Sequence, residues 1–249
     1  GSNLVKGINL EGLRVLGKPE NFAKYYYENG ADELILSDPV ASLYGINSLH
    51  AILNKIVRSI SIPISIGGGI RSIETIRDLM NAGADRVILN TYAIENPEFL
   101  KKAVKYFGSS TIIVAIDYKK KLKTKDFEKN DYFYEVYKEN GKQNTNIDAI
   151  KWAIECQELG AGEILLTCID HEGLMKGFES NLPKKIENYL NIPFLIGGGG
   201  GSSKHILDIF KHTNCNGVSL ASILHYKKLN IQNIKSYLDG EGLKVVHHG

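Results

Sequence analysis

The segment Ile62-Pro63-Ile64-Ser65-Ile66-Gly67-Gly68-Gly69-Ile70-Arg71-Ser72 has a counterpart 130 residues on, Ile192-Pro193-Phe194-Leu195-Ile196-Gly197-Gly198-Gly199-Gly200-Gly201-Ser202. In both copies a short apolar run of β type ends in glycines and then a serine, the order of a strand, a tight turn and a helix start. The same shift pairs Gly30-Ala31 with Gly160-Ala161, Glu33 with Glu163 and Leu36 with Leu166 upstream, and Ile76 and Asp78 with Ile206 and Asp208 downstream. Strand, glycine loop and helix therefore recur together, as duplication of a supersecondary unit requires.

Working outward, seven short apolar runs read as strands: 33–37, 62–66, 86–90, 111–117, 163–169, 193–196 and 217–220. Between them, 73–82, 97–106, 145–159 and 204–210 carry apolar residues at helical spacing. Strands alternating with amphipathic helices predict an α/β fold around a parallel sheet. With 249 residues, about what one such barrel needs, the expected fold is a single (β/α)8 TIM barrel built from two homologous half-barrels, about 1–125 and 126–249. Shifting 111–117 back by 130 places its counterpart before Gly1. The first barrel strand is thus expected to lie upstream of this sequence, since an opened barrel would leave bare strand edges.

Composition narrows the function. Lys plus Arg number 30 against 28 acids, a formal charge of +2, too balanced for a general polyanion binder, so no nucleic-acid partner is expected. No apolar run reaches membrane-spanning length and no signal peptide is visible, which predicts a cytoplasmic protein with no membrane partner. Cys156, Cys168 and Cys215 are odd in number and lack metal-ligand spacing, so they read as reduced thiols. No pair of histidines has ligand spacing either. Neither metal nor cofactor is expected.

The two glycine loops carry the first chemical signal. Backbone without Cβ atoms approaches an anion closely, and a following helix N-terminus adds partial positive charge. Gly68 and Gly69 in one half, and Gly198 and Gly199 in the other, therefore read as phosphate cradles, completed by the next strand ends at Asn90-Thr91 and Ala221-Ser222. Two cradles imply a phosphorylated small molecule carrying two phosphates. Tight turns with no ligand are the alternative. Carboxylates at strand ends, Asp38, Asp117, Asp170 and the neighbouring Glu172, point towards the mouth. Asp117 ends the apolar run Thr111-Ile112-Ile113-Val114-Ala115-Ile116 and suits a general acid or base, although a carboxylate capping the next segment would look the same. Lys6 is either a loop lysine that closes over a phosphate or an ordinary solvated one. At the opposite strand ends Glu33, Arg86 and Glu163 form a ring of charge, readable as a salt-bridge layer or a gate.

Beyond these local signals, Val5-Lys6-Gly7, Ala31-Asp32-Glu33-Leu34, Gly67-Gly68-Gly69-Ile70, Gly83-Ala84-Asp85, Asn90-Thr91, Glu95-Asn96-Pro97, Val114-Ala115-Ile116-Asp117, the run from Gly160 to Thr167, and Ala221-Ser222 resemble the HisF family, the cyclase subunits of imidazole glycerol phosphate synthase. That resemblance implies a two-fold repeated barrel receiving ammonia from a glutaminase (HisH-like) subunit docked at its N-terminal face. It implies Asp117 as catalytic acid/base and Glu33, Arg86 and Glu163 as members of an ammonia gate. Substrate would be bound by Lys6, the glycine loops, Asn90, Thr91, Ala221 and Ser222, with Asp38 and Thr167 lining the mouth. The family's other catalytic aspartate belongs to the first strand, which this sequence lacks.

Two departures bear on activity. The mouth loop, usually Asp-x-Asp-Gly-Thr, reads Asp170-His171-Glu172-Gly173-Leu174, which keeps Glu172 and Gly173 as substrate contacts with a longer carboxylate. Ser37-Asp38-Pro39-Val40-Ala41-Ser42-Leu43-Tyr44-Gly45 places Val40 where the family carries Thr. The run Val40-Ala41-Ser42-Leu43-Tyr44-Gly45 and Ser222-Ile223-Leu224-His225-Tyr226 resemble a paralogous WbuZ-like branch linked to acetamidino modification of surface sugars, and imply a sugar amidotransferase as a further partner. The sequence reading leans to that branch. An authentic histidine-pathway cyclase and a silent ammonia conduit are its alternatives.

Overall fold

The computed structural model describes residues 3–38, 47–122 and 132–247. The chain opens with a hairpin, β1 (Leu4–Ile8) and β2 (Glu11–Gly17), joined by Asn9 and Leu10, both at positive φ. Next come α1 (Pro19–Glu28), β3 (Leu34–Ser37), α2 (Asn47–Ile56), β4 (Ile64–Gly67), α3 (Ile73–Asn81), β5 (Arg86–Leu89), α4 (Thr91–Glu95) and α5 (Pro97–Phe107). A second run follows: β6 (Ile112–Leu122), β7 (Tyr132–Lys138), β8 (Gln143–Asp148), α6 (Ala149–Glu158), β9 (Glu163–Cys168), α7 (Asn181–Ile186), β10 (Phe194–Gly197), α8 (Ser203–His212), β11 (Gly217–Ser219), α9 (Ser222–His225) and α10 (Ile231–Gly240).

All seven expected strands form one parallel path, β11-β10-β9-β6-β5-β4-β3. Helices lie between the strands and the path is nearly closed into a barrel. Its two ends meet through packing: Tyr26 of α1, with Ala31 and Ile62, joins Ile206, Ile223, Ile234 and Leu238 of the last three helices in one buried cluster. Lys235 Nζ also lies 2.6 Å from Asp32 Oδ1, tying α10 to the approach to β3.

The 130-residue repeat is a repeat of structure. Ser72 and Ser202 each cap their helix, accepting from the third backbone N–H on, Thr75 and His205, both at 3.1 Å. Asp85 accepts from the Ile64 N–H at 2.8 Å, and Asn216, one residue past the 130 offset, does the same for Phe194 at 3.1 Å. Gly68 takes φ +110 and Gly198 φ +84, and a Cβ on either would meet the backbone at the end of a neighbouring strand, at Asp38 and Cys168 respectively. Glycine is needed at both positions because the left-handed region and the close approach exclude a side chain.

Alternation along each strand decides what faces the barrel axis. In β6, Ile112, Val114 and Ile116 belong to the large core between sheet and helices, whereas Ile113 and Ala115 join Ile88 and Leu165, with Ile35 and Leu195 against them, inside the barrel. The next inward position in β6 is Asp117, at the mouth. The same count places Arg86 and Glu163 at the opposite end of the apolar plug. Asp117 and the charged ring are therefore separated by one buried hydrocarbon layer.

Sequence periodicity missed the excursion after Asp117. β6 runs on to Leu122 and pairs antiparallel with β7, which pairs with β8. The helix expected over 145–159 begins only at Ala149, where Asp148 caps it by accepting from the Ile150 and Lys151 N–H groups at 3.0 and 3.1 Å. Asn140-Gly141, both at positive φ in the β7–β8 turn, is the sequence signal that marks this hairpin. The hairpin β1–β2 likewise replaces the long loop expected around Lys6. Among the described residues no helix is long and apolar enough to cross a membrane.

Candidate active site

A cavity of about 250 Å³ opens at the C-terminal ends of the parallel strands. It gathers Asp38, Gly68, Gly69, Asn90, Thr91 and Asp117 from the first half and the strand that follows it, and Thr167, Glu172, Gly173, Gly198, Gly199, Ala221 and Ser222 from the second. The residues selected from sequence as substrate contacts thus line one chamber, with the exception of Lys6. That lysine stands on β1 and reaches the chamber indirectly, through an ion pair with Glu172.

Asp117 sits at the floor. Asn90 Nδ2 donates to its Oδ2 at 2.8 Å. Burial pushes the carboxyl up from 3.8 to about 6, while hydrogen bonds from Asn90 and Thr167 pull the other way. Desolvation therefore outweighs hydrogen bonding, and the group changes charge within reach of neutral pH. Asp38 lines the wall, its N–H bonded to the Gly67 carbonyl at 3.1 Å. Asp170 turns away to accept from the Lys120 N–H at 3.2 Å, a structural role. Val40 and the rest of the 39–45 run lie outside the described residues.

Glu172 is held by its surroundings. The Asn9 N–H donates to its carbonyl at 2.8 Å, and its carboxylate holds the Lys6 ammonium. Burial pulls Lys6 down from 10.5 to about 8, which still leaves the amine protonated at neutral pH. Ser222, only 6% exposed, has no hydrogen-bond partner for its hydroxyl among the described residues, and Asn90 Oδ1 is likewise buried without one. Both atoms have hydrogen-bonding capacity to offer a polar ligand on the cavity wall.

Sequence reasoning overlooked Arg71, Tyr92, Leu10 and Asn140, which also line the chamber. Arg71 was adjacent to a glycine loop and Asn140 to a turn glycine, so both carried a local signal. Leu10 carried none, because it enters only through the hairpin's fold, where Asn140 Nδ2 donates to its carbonyl at 3.2 Å. Thr91 is shared: its hydroxyl accepts from the Glu139 N–H at 2.9 Å.

Opposite the mouth, Arg86 NH1 donates to Glu163 Oε2 at 2.8 Å and NH2 holds Glu33, which also accepts from the fully buried Ser65 hydroxyl. Burial opposes the Arg86 charge, but Glu33 and Glu163 raise its pKa nonetheless; burial raises Glu163, against the pull of Arg86. Cys156, Cys168 and Cys215 are free, buried thiols.

A repeated barrel with paired glycine cradles, a floor aspartate and a charged ring behind an apolar plug agrees with one family. The model of the histidine biosynthesis protein family matches residues 2–230. The chain belongs to that family. Its relatives include imidazole glycerol phosphate synthase subunit HisF of Prochlorococcus marinus strain AS9601, 41% identical over 236 residues, 94% of this chain and 90% of that one. The HisF subunits of Methanopyrus kandleri, 38% identical over 252 residues, and Staphylococcus saprophyticus, 41% over 242, each cover 97% of this chain and 93% of their own.

Proposed function

We propose that the chain is a HisF-type cyclase subunit that accepts ammonia at its N-terminal face and reacts it with a phosphorylated substrate at the mouth. The observation that carries this reading is the single cavity in which two repeat-related glycine loops converge on Asp117. Asp117 is the catalytic acid/base: near neutral pH it is mostly ionised yet readily protonated, so it takes a proton from the attacking nitrogen and returns one to the departing group. Asn90 and Thr167 fix the carboxylate for that exchange. The glycine loops, Thr91, Ala221 and Ser222 hold the phosphates, and Asp38 and Glu172 orient the middle of the substrate. In the cyclase reading ammonia condenses with the ribulosyl ketone with loss of water, and its nitrogen then closes onto the formimino carbon, expelling the carboxamide nucleotide through its amine as the imidazole forms.

Neutral ammonia crosses the hydrocarbon layer at little cost, whereas ammonium would lose its hydration there. The Arg86, Glu33 and Glu163 ring is the gate to that layer, and a HisH-like glutaminase docked on this face is the source. Arg86→Ala is expected to lower glutamine-dependent turnover about tenfold in the complex while ammonia-dependent turnover stays within about twofold, since free ammonia also enters from the mouth. Equal loss of both activities would remove the gate role. The test of the function itself is conversion of the histidine pathway's phosphoribulosyl substrate with ammonia.

A second duty, service to an acetamidino-sugar pathway with a sugar amidotransferase as partner, is favoured by one observation. Glu172, one methylene longer than the family's usual aspartate, reaches Lys6 and occupies it. Turnover of the phosphoribulosyl substrate separates the two duties, and an ammonia conduit without chemistry would leave Asp117 with no kinetic role.

A further inference from the structure

Each cradle ends on a short helix, and the two helices are held by different means. One residue past the 130 offset, Thr91 is equivalent to Ser222 and Ile94 to His225, so α4 corresponds to α9. The β7–β8 hairpin ties α4 down: the Glu139 N–H donates to the Thr91 hydroxyl at 2.9 Å, and Lys138 Nζ lies 2.7 Å from Glu95 Oε1. No such bond reaches Ser222, whose hydroxyl is buried without a partner among the described residues.

What α9 has instead is His225. Where the first half packs Ile94 against the hydrocarbon core, the second places an imidazole whose Nδ1 is hydrogen-bonded to the Tyr26 hydroxyl of α1, with the Phe22 ring edge-on at 5.8 Å. Burial, with the Lys6 charge nearby, pulls the imidazole from 6.5 down to about 4, and burial raises the Tyr26 phenol. Both rings are therefore neutral at physiological pH. The phenol has no other partner among the described residues, so its O–H donates to Nδ1 and the imidazole proton sits on Nε2. A polar pair beside Ile206, Ile223 and Leu224 loses more hydration than the hydrocarbon its repeat carries, and the bond between the two rings offsets that loss. One helical turn separates the pair from the cradle: the Ala221 carbonyl accepts from the His225 N–H at 2.8 Å.

We infer that His225 is a positioning residue for the second cradle: held by Tyr26, it fixes the turn that presents Ala221 and Ser222 to a phosphate. This rests on the phosphate reading above and adds to it two residues that stand outside the chamber lining.

The test is a titration of the full chain with inorganic phosphate, followed by backbone amide NMR at Gly198, Gly199 and Ser222, with Gly68 and Gly69 as the internal reference. Tyr26→Phe removes one oxygen and leaves the ring packed; it is expected to raise the midpoint at the second cradle about tenfold, the effect of one lost buried hydrogen bond, and to leave the first within about twofold. His225→Leu is expected to do the same. His225→Asn, whose amide oxygen still accepts from Tyr26, is expected to stay within about threefold of the unaltered chain. A contact that only stabilises the fold would lower thermal stability without moving the second midpoint relative to the first. That result, or equal loss in His225→Asn and His225→Leu, would overturn the positioning role and leave the phosphate reading standing. Absence of shifts at both loops in the unaltered chain would overturn both.

Discussion

Asp117→Asn is expected to lower ammonia-dependent turnover by about 10²–10⁴, the range that loss of a positioned acid/base costs, while making the fold more stable. The amide preserves shape and hydrogen-bonding capacity beside Asn90 and Thr167 but exchanges no proton. The stability gain follows from the sign of the shift. Burial raises the folded-state carboxyl from 3.8 to about 6, so the folded chain binds more protons than the unfolded one between those values. Stability contributed by the protonated group is complete below pH 3.8 and is lost as pH rises through about 6. At neutral pH the ionised Asp117 therefore costs stability, and its removal is expected to return about 1–2 kcal/mol, a rise of roughly 2–8 °C in a chain of this size. At constant free ammonia, kcat/KM of the unaltered chain is expected to rise with an apparent pKa near 6. A variant that loses activity together with stability would show damage to the fold rather than loss of a catalytic group.

Gly199→Ala carries the largest expected structural effect. Gly199 takes φ +107, a region closed to alanine, and a Cβ there would lie 2.1 Å from the Gly177 carbonyl oxygen. The Gly177 N–H donates to the Gly199 carbonyl at 2.8 Å, so relief of the collision breaks this bond and opens the second cradle. Strain and the lost bond together are expected to cost about 2–4 kcal/mol and to abolish binding at that end. Gly30→Ala is the control, because Gly30, just past the end of α1, takes φ +85 with nothing within 4 Å of its Cβ position. It is expected to lose only about 1 kcal/mol, the cost of an unfavourable backbone region without a collision. Denaturant unfolding separates the two effects; equal losses would assign all of the Gly199 effect to backbone strain.

Much of this was legible in the sequence because the deciding signals are local and repeated. Glycine turns, serine caps and apolar strand runs each act within a few residues, and the constant offset of 130 joined them into a barrel. Inward placement of Asp117 followed from strand alternation alone. What was not legible depends on contacts between distant segments. Lys6 and Glu172 are 166 residues apart, so their pairing exists only once β1–β2 has folded over the mouth. The β7–β8 hairpin was missed for another reason: apolar spacing over 145–159 imitated a longer helix, and the Asn140-Gly141 turn, which argues for a hairpin, was passed over.

Proteins of one family keep the barrel while changing what the mouth accepts, and here the mouth differs from its own repeat in the charges beside each glycine loop. Substrate turnover is therefore more decisive than binding. The most direct measurement is product formation from the phosphoribulosyl formimino carboxamide substrate of histidine biosynthesis with saturating ammonia at alkaline pH, for the unaltered chain and for Asp117→Asn. Formation of imidazole glycerol phosphate and the aminoimidazole carboxamide nucleotide by the first, reduced at least a hundredfold in the second, is the predicted result; no product from the unaltered chain, or equal rates from both, would contradict it.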